Sequence, residues 1–540
     1  MNLEDLSPQQ AAVASATGSP ILVLGGAGTG KTTAALWAAH AAIERGEIGA
    51  HQKVLFLTFS RTAVTQIAAR ARGRLGGVRQ DIEISTFHAF SFRILQDFGR
   101  YSGFGPSLPK VQSAARNKLM GADPTVYSYD ELIPRAIRVL EGEAISAIVA
   151  RRWPLVICDE FQDTSTDQLQ LLDLLANHAR QILLADPNQM IYTFVPGVSP
   201  ERLENARQRA QTVIDLQPDS YRDPSGCIPA MAEAIRQRNF SSPEISRAIE
   251  LNALAVRSDV PDDSVMDELD YELGVARELG MSSVGIFAHS NESVAGLGTQ
   301  LTNHGVEHSL VGLPEAQGEA LAALSALVEF GAGNRDASGL HQALATFLTA
   351  CTRGRRPPDV ASGLAFGEPA LPAAFFVRLQ DIEESLVRSS DEGLEALIKT
   401  ACGAWQRLAL GSGNRPWQVS AQRFAAIAQR VAGSGEPKAV LIERLVAQVD
   451  RERTAVLVGN DYLEQHPVQI MNFHQTKGRE VDQVILIYRS GDYLADHRAG
   501  EPFVEASRVL YVALTRARKR VVVVLPPEPH DLVAPLASLS

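Results

Sequence analysis

The stretch ILVLGGAGTGKTT, Ile21 to Thr33, decides the fold class. It opens with a short apolar run suited to a buried strand and passes through a glycine-rich loop. AALWAAHAAI then follows at helical spacing. Gly25, Gly30, Lys31 and Thr32 fit G-x-x-x-x-G-K-[ST]. In such a loop the backbone of Gly25, Gly26, Ala27, Gly28, Thr29 and Gly30 can turn its N–H groups around an anionic phosphate. The helix that follows presents its N-terminus at the same place. Lys31 then reaches the outer phosphates, the Thr32 hydroxyl is placed to ligate Mg²⁺, and Thr33 lies beside them. A dinucleotide loop, G-x-G-x-x-G, is the competing reading, but after Gly26 and Gly28 its last glycine falls on Lys31. That reading fails.

A phosphate loop of this kind needs a second strand that ends in acids, and PLVICDEFQD, Pro154 to Asp163, has that form. Asp159 is read as the metal holder and Glu160 as the general base that prepares water. Taken alone, Asp159, Glu160 and Asp163 would be a solvated turn. Beside a phosphate loop they form a hydrolysis site.

At 540 residues the chain exceeds one ordinary core and implies several domains. Its composition, 45% hydrophobic and 21% charged, is that of a soluble globular protein. The net charge of −11 argues against a protein that coats polyanions at large, yet leaves room for a local basic track. Arg70, Arg72 and Arg74 form one such track, read by default as a solvated face. Cys158, Cys227, Cys351 and Cys402 are scattered without ligand spacing, which excludes a zinc framework. MNLEDLSPQQ is unlike a signal peptide and no apolar run nears ~18 residues, so a cytoplasmic protein without membrane contact is expected.

From here the residues resemble a known family, the superfamily 1 DNA helicases of the UvrD/Rep type, with motifs in the family's order over nearly the whole chain. LSPQQ (Leu6 to Gln10) resembles the adenine-reading segment, with Gln10 as the contact. TFSRTA (Thr58 to Ala63) and TFHAF (Thr86 to Phe90) resemble segments that touch single-stranded DNA, which implicates Thr58, Phe59, Phe87 and His88. ADPNQMIYTF (Ala185 to Phe194) resembles the segment joining the γ-phosphate, through Gln189, to DNA, through Tyr192 and Phe194. In SYRDP the resemblance makes Tyr221 an adenine-stacking ring and Arg222 a γ-phosphate contact. In HQTKGRE it makes Glu480 the ribose holder and His474 a DNA contact, and in YVALTRAR it makes Arg516 the second γ-phosphate arginine. Three positions depart from the family's pattern. Thr33 stands where several members carry an adenine-stacking arginine, Ala185 replaces a usual glycine, and Arg479 replaces a usual leucine. None of the three removes a group that does chemistry.

The residues also carry physical arguments of their own. Arg222 and Arg516 are far from Lys31 in sequence, and guanidinium forks suit the spread charge of a transferring phosphoryl group. If a second domain supplies them, the two domains must close on ATP, and hydrolysis then releases them. Aromatic rings near basic residues suit single strands because every base has a π-face. Phe59 and Phe87 read equally as core aromatics, and His88 and His474 equally as structural histidines.

Apolar runs suggest strands at 21–24, 54–58, 155–158 and 182–185, and a second set at 284–290, 468–473, 481–488 and 520–526. Between 313 and 461, Ala and Leu recur at helical spacing; Phe424, Ile427 and Val431 share one face. The expected fold is therefore α/β: two RecA-like P-loop domains of parallel strands flanked by helices, each interrupted by a mainly helical accessory domain. The expected partition is 1–100 with 151–210 for the first motor domain and 211–312 with 462–540 for the second. The accessory insertions are 101–150 and 313–461. After the last motif barely twenty residues remain, so no fused nuclease is expected.

ATP and Mg²⁺ are the implied cofactors, and single-stranded DNA and its junctions with duplex the implied partners. The expected activity is ATP-driven movement on DNA, with 3′-to-5′ unwinding taken from the resemblance alone, in repair, recombination or defence. Two alternatives stay open: a translocase subunit that works with a nuclease or repair protein, and an ATP-gated DNA sensor that does not travel.

Overall fold

The computed structural model describes residues 6–75, 80–102, 110–121, 126–193, 195–217, 220–310, 314–352, 356–367, 372–410, 413–432, 436–458, 466–494 and 500–539. The chain divides into two compact units. The larger joins Met1–Phe90, Ala136–Val311 and Tyr462–Ser540; the other joins Ser91–Arg135 and Gly312–Asp461.

Strands in chain order are β1 (Ile21–Leu24), β2 (Val54–Thr58), β3 (Ile82–Thr86), the two-residue β4 (Val111–Gln112) and β5 (Tyr127–Ser128), β6 (Leu155–Cys158), β7 (Arg180–Ala185) and β8 (Thr212–Asp215). All but β4 and β5 form one parallel sheet in the order β3-β2-β6-β7-β1-β8. A parallel sheet covered on both faces calls for unbroken apolar strands. β1 and β6 meet that requirement, being buried at every position. β8 pairs with β1 in register Ile21↔Thr212, so the first sheet runs past the expected boundary at 210. A short β-branched strand at a sheet edge completes pairing that the apolar pattern alone does not announce.

The second sheet follows with β9 (Leu254–Arg257), β10 (Val284–Ala288), β11 (Ser309–Leu310), β12 (Val468–Asn472), β13 (Val481–Ile487) and β14 (Ala517–Val524). Its order is β11-β12-β10-β13-β14-β9, again parallel throughout. β12 and β10 are partners although a long insertion separates them in sequence. Pairing restores the continuity that the chain interrupts. Val484, Leu486, Val521 and Val523 form one side of this sheet's core; Ile485, Ile487, Val522 and Val524 form the other.

The remaining unit is helical apart from the β4–β5 ribbon. Phe424 and Ile427 are fully buried, as their shared face predicts, among Leu327, Phe347, Trp405 and Trp417. The Trp405 and Trp417 rings stack with centroids 5.4 Å apart. The short insertion shares the core of the long one. Its Ala115 and Leu119 enter the same core as the long insertion, and the Ala115 amide donates to Glu315 Oε1 at 2.6 Å. Residues 136–150, expected in that insertion, cluster instead with the sheets. A segment of a few dozen residues buries too little apolar surface to stand alone. Among the described residues no helix is long and apolar enough to cross a membrane.

Candidate nucleotide and nucleic-acid site

The groups expected from the first sheet to bind phosphate or prepare water issue from the carboxyl ends of its parallel strands, where an α/β sheet opens its crevice. The loop after β1 runs into the helix Lys31–Glu44. Gly28 and Gly30 adopt left-handed backbone (φ +80° and +84°), which side chains rarely adopt. Space matters as well as angle, since a Cβ on Gly28 would meet Ser220 Oγ at 2.3 Å and one on Gly30 would meet Gln10 Nε2 at 2.4 Å. Gln10 belongs to a capping box with Ser7, and its Nε2 donates to the Thr29 carbonyl at 3.2 Å. Tyr221 donates its amide to the Gly28 carbonyl at 2.8 Å, while its ring is 57% exposed, open for a planar group to stack on. The expected base-contacting residues thus border the expected phosphate loop.

Lys31 Nζ donates to the Gly25 and Gly26 carbonyls at 2.7 and 2.9 Å and lies 3.7 Å from Asp186 Oδ2. Thr32 Oγ1 and Asp159 Oδ2 are 3.5 Å apart. An all-oxygen pair with one carboxylate suits Mg²⁺, which usually keeps several waters and takes few protein ligands. Burial and the charge of Glu160 push the Asp159 carboxyl up to about 6. A cation beside it would draw it back to the ionised form.

Glu160 sits at a left-handed position (φ 56°), at the sharp turn after β6. Gln162 Nε2 donates to its Oε2 at 2.7 Å, and Gln162 Oε1 accepts from the Asp186 amide at 3.1 Å. Burial alone would raise Glu160. Lys477, Lys31 and the Gln162 hydrogen bond outweigh that and hold it down at about 2, so it is ionised and able to accept a proton.

The second sheet contributes through the turns before β13 and β14. Arg516 is 2% exposed; its Nη2 donates to Gln189 Oε1 at 2.9 Å, and Gln189 Nε2 donates to Asp186 Oδ2 at 2.7 Å. The Gln189 amide therefore links the two sheets. Burial, with Arg222 nearby, pushes Arg516 down to about 10, still charged at neutral pH. Arg222 Nη2 donates to Glu480 Oε1 at 2.8 Å and its Nη1 to the Thr515 carbonyl at 2.5 Å. Glu480 also pairs with Arg70 at 2.6 Å and Arg518 at 3.3 Å. Burial opposes its charge, but these arginines hold it well below the usual carboxylate range.

Three residues of this constellation were not among those read from sequence. Lys477 is 7% exposed and contacts Asp163 Oδ2, lies 3.4 Å from Glu160 Oε2, and donates to the Gln189 carbonyl at 2.7 Å. Its position between the histidine and the glutamate of HQTKGRE was the available signal. Arg70 was read as part of a solvated track, yet it reaches Glu480. Tyr511, 4% exposed, approaches the phosphate loop, its hydroxyl 3.9 Å from where a Cβ on Gly26 would stand.

The expected DNA contacts divide. Tyr192 is half-buried, its hydroxyl donates to the His474 carbonyl at 2.9 Å, and Lys477 Nζ lies 5.7 Å from its ring centre. Lys477 thus brings Tyr192 and His474 to the Asp159–Asp163 turn. Phe59 and His88 are partly exposed. Thr58 and Phe87 are buried, with exposures of 0% and 1%. The Phe87 ring packs against Phe59 with centroids 5.3 Å apart, and a ring so enclosed presents no face to a base. Phe194 lies outside the described residues. Arg479 is partly exposed and donates to Gln469 Oε1 at 2.6 Å.

Comparison with known proteins bears on the same segments. The UvrD/REP helicase N-terminal domain family matches residues 6–126 and 110–210, and the UvrD-like helicase C-terminal domain family matches 452–526. The ATP-dependent DNA helicase UvrD1 of Mycobacterium tuberculosis is 24% identical over 644 residues, covering 96% of this chain and 82% of that protein. The ATP-dependent DNA helicase PcrA of Bacillus subtilis is 23% identical over 304 residues, 45% of this chain and 41% of that one. Among solved structures, the Pif1 helicase of Candida albicans aligns at TM-score 0.32 and 14% identity, over 56% of this chain and 55% of that one. The two family matches together take in more than half the chain, including the Gly25–Thr33 loop, the Asp159–Asp163 turn and Arg516. This chain belongs to the UvrD/REP family of ATP-dependent DNA helicases.

Proposed function

We propose that the chain hydrolyses ATP to move along single-stranded DNA, 3′ to 5′, and separates strands at a junction. One observation carries the coupling: Arg516 and Lys477, both on turns of the second sheet, are bonded to Gln189 and Asp163 on turns of the first. Any change in charge at the phosphates is felt where the two sheets meet. In this reading Gln10 and Tyr221 hold the base, Gly25 to Thr33 and Lys31 the phosphates, and Glu480 the ribose. Thr32 and Asp159 would hold Mg²⁺, which on binding draws charge from the β- and γ-phosphates.

Glu160 takes the proton of the attacking water; Gln189, Arg222 and Arg516 stabilise the phosphoryl charge that develops. Tyr192 and His474, on the same hydrogen-bonded path, carry that state to the DNA. The first sheet with its helices is the first motor domain and the second sheet the second, with the accessory unit built from both insertions. Unwinding of 3′-tailed against 5′-tailed duplexes tests the proposal. Displacement of the 3′-tailed substrate alone supports it. ATP turnover stimulated by single strands without displacement of either would favour a subunit that needs a partner, and turnover without movement on DNA a sensor.

A further inference from the structure

A cavity of about 720 Å³ lies against the first sheet, away from the phosphate loop. Its size is that of small-molecule sites, roughly 300–1,000 Å³. Phe161, Leu169, Leu172 and Leu183 give it an apolar wall; Arg202 and Arg209 give it charge. Arg202 is 7% exposed, on the helix Glu201–Arg209. Its Nη2 donates to the Gly197 carbonyl at 2.5 Å, and its Nε is buried without a hydrogen-bond partner. Among the described residues no carboxylate is within ion-pair distance of it. Asp173, a carboxylate whose charge acts on it, is held by Arg209 at 3.1 Å. Two guanidinium groups therefore share one carboxylate at the rim, and the buried one is left over. A buried charge without a counter-charge is costly, and burial already pushes Arg202 below its ordinary pKa. Phe161 is also the residue after Glu160, so an occupant would touch the turn that carries the proposed base.

We propose that this cavity binds a small amphipathic anion, an aromatic or short acyl body with one carboxylate or sulfonate, its charge on Arg202 and its body on Phe161 and Leu172. The probe is 8-anilinonaphthalene-1-sulfonate, titrated by fluorescence with ADP and Mg²⁺ present to keep the dye from the phosphate loop. One saturable site is expected. Arg202→Met should weaken the dye about tenfold or more, because a charge-assisted contact is lost while the side chain's length is kept. Asn205→Trp, at an exposed rim position, should block the dye without touching the core. The uncharged N-phenyl-1-naphthylamine should bind the parent and Arg202→Met alike. Dye affinity unchanged in both variants overturns the proposal, and so does a loss in Arg202→Met with none in Asn205→Trp, which would mean an anion on an open surface. Should Arg202→Met fail to fold, Asn205→Trp decides: undiminished dye binding there overturns the proposal by itself.

Discussion

Lys477→Met asks whether one buried charge ties the second sheet to the hydrolysis turn. The ammonium contacts Asp163, whose side chain has no exposure, and lies 3.4 Å from Glu160 Oε2. Burial works to neutralise Lys477, and the two carboxylates outweigh burial and keep it charged. Methionine preserves length and removes the charge. Removing one partner of a buried pair costs about 3–5 kcal/mol, because the other is left uncompensated. Asn at position 163 is nearly isosteric with Asp and neutral, so Lys477→Met with Asp163→Asn should recover at least about 2 kcal/mol of that loss.

The variant should also respond to pH. Burial pushes Asp163 up to about 6 even with Lys477 present. Without the lysine its folded pKa can only rise, well above the ~3.9 of an unfolded aspartate. A carboxyl with a raised folded pKa binds its proton more readily when folded, so stability returns as pH falls from just above 6 toward about 4, by up to ~1.4 kcal/mol per unit. Hydrogen exchange of peptides spanning Leu155–Asp163 and Arg180–Gln189 reads the opening energy of this sheet itself, apart from the helical unit. A double variant no more stable than Lys477→Met, with a deficit constant from pH 8 to pH 5, would refute the charge argument and leave packing as the lysine's contribution.

Lys31→Ala should weaken ATP binding and turnover together, whereas Glu160→Gln should bind ATP like the parent and hydrolyse it at least ~100-fold more slowly in single-turnover assays. Arg516→Lys should cut DNA-stimulated turnover by about tenfold or more, since lysine keeps the charge but cannot hold Gln189 and the Val512 carbonyl at once, while DNA affinity without nucleotide stays within about twofold by anisotropy. Tyr192→Ala should lower affinity for single strands equally for different homopolymers, by roughly 1–3 kcal/mol if the ring stacks on a base; loss confined to one base would point to hydrogen-bonded readout of its edge.

Much of the fold was legible because apolar runs ending in glycine or acid are what a doubly covered parallel sheet demands. The strands expected at 21–24, 54–58, 155–158 and 182–185 are there, as are those that became β10, β12, β13 and β14. The missed strands are those whose pattern is weak: β3, β8 and β9 include polar residues in short runs, and β4, β5 and β11 have two residues each. Chemistry restricts residue type at Lys31, Asp159, Glu160 and Gln189, so their candidacy was legible, and the structure brings Lys31 and Gln189 together at Asp186 and Glu160 beside Asp159. Arg70 was not legible, because an arginine on an amphipathic helix reads as solvated until its partner, 410 positions away, is known. The burial of Thr58 and Phe87 was not legible for the complementary reason: a segment proposed to touch DNA contains residues that face the core as well as residues that face outward. Which is which depends on packing that spacing does not encode.

The cationic groups proposed to meet ATP are already engaged by protein partners, although Arg222 Nε has none. Lys31 lies on the Gly25 and Gly26 carbonyls, Arg222 on Glu480 and Thr515, and Arg516 on Gln189. Buried guanidinium and ammonium groups left without partners would cost more than the fold can absorb, so some pairing is obligatory. ATP must therefore enter by exchange, each phosphate contact replacing a protein contact of similar kind. Net affinity is then modest compared with the number of contacts made, which suits a site that must also release its product. Glu480 is where this exchange has its widest reach, since its carboxylate holds Arg222 and Arg70 together and touches Arg518. If Glu480 turns to a ribose, three arginines on helix Arg61–Leu75, on the segment after β8 and on β14 lose a shared counter-ion at once. A phosphoryl group of several negative charges is the natural replacement for Arg222. On this argument, nucleotide sensing and contact between the sheets share the same few ion pairs.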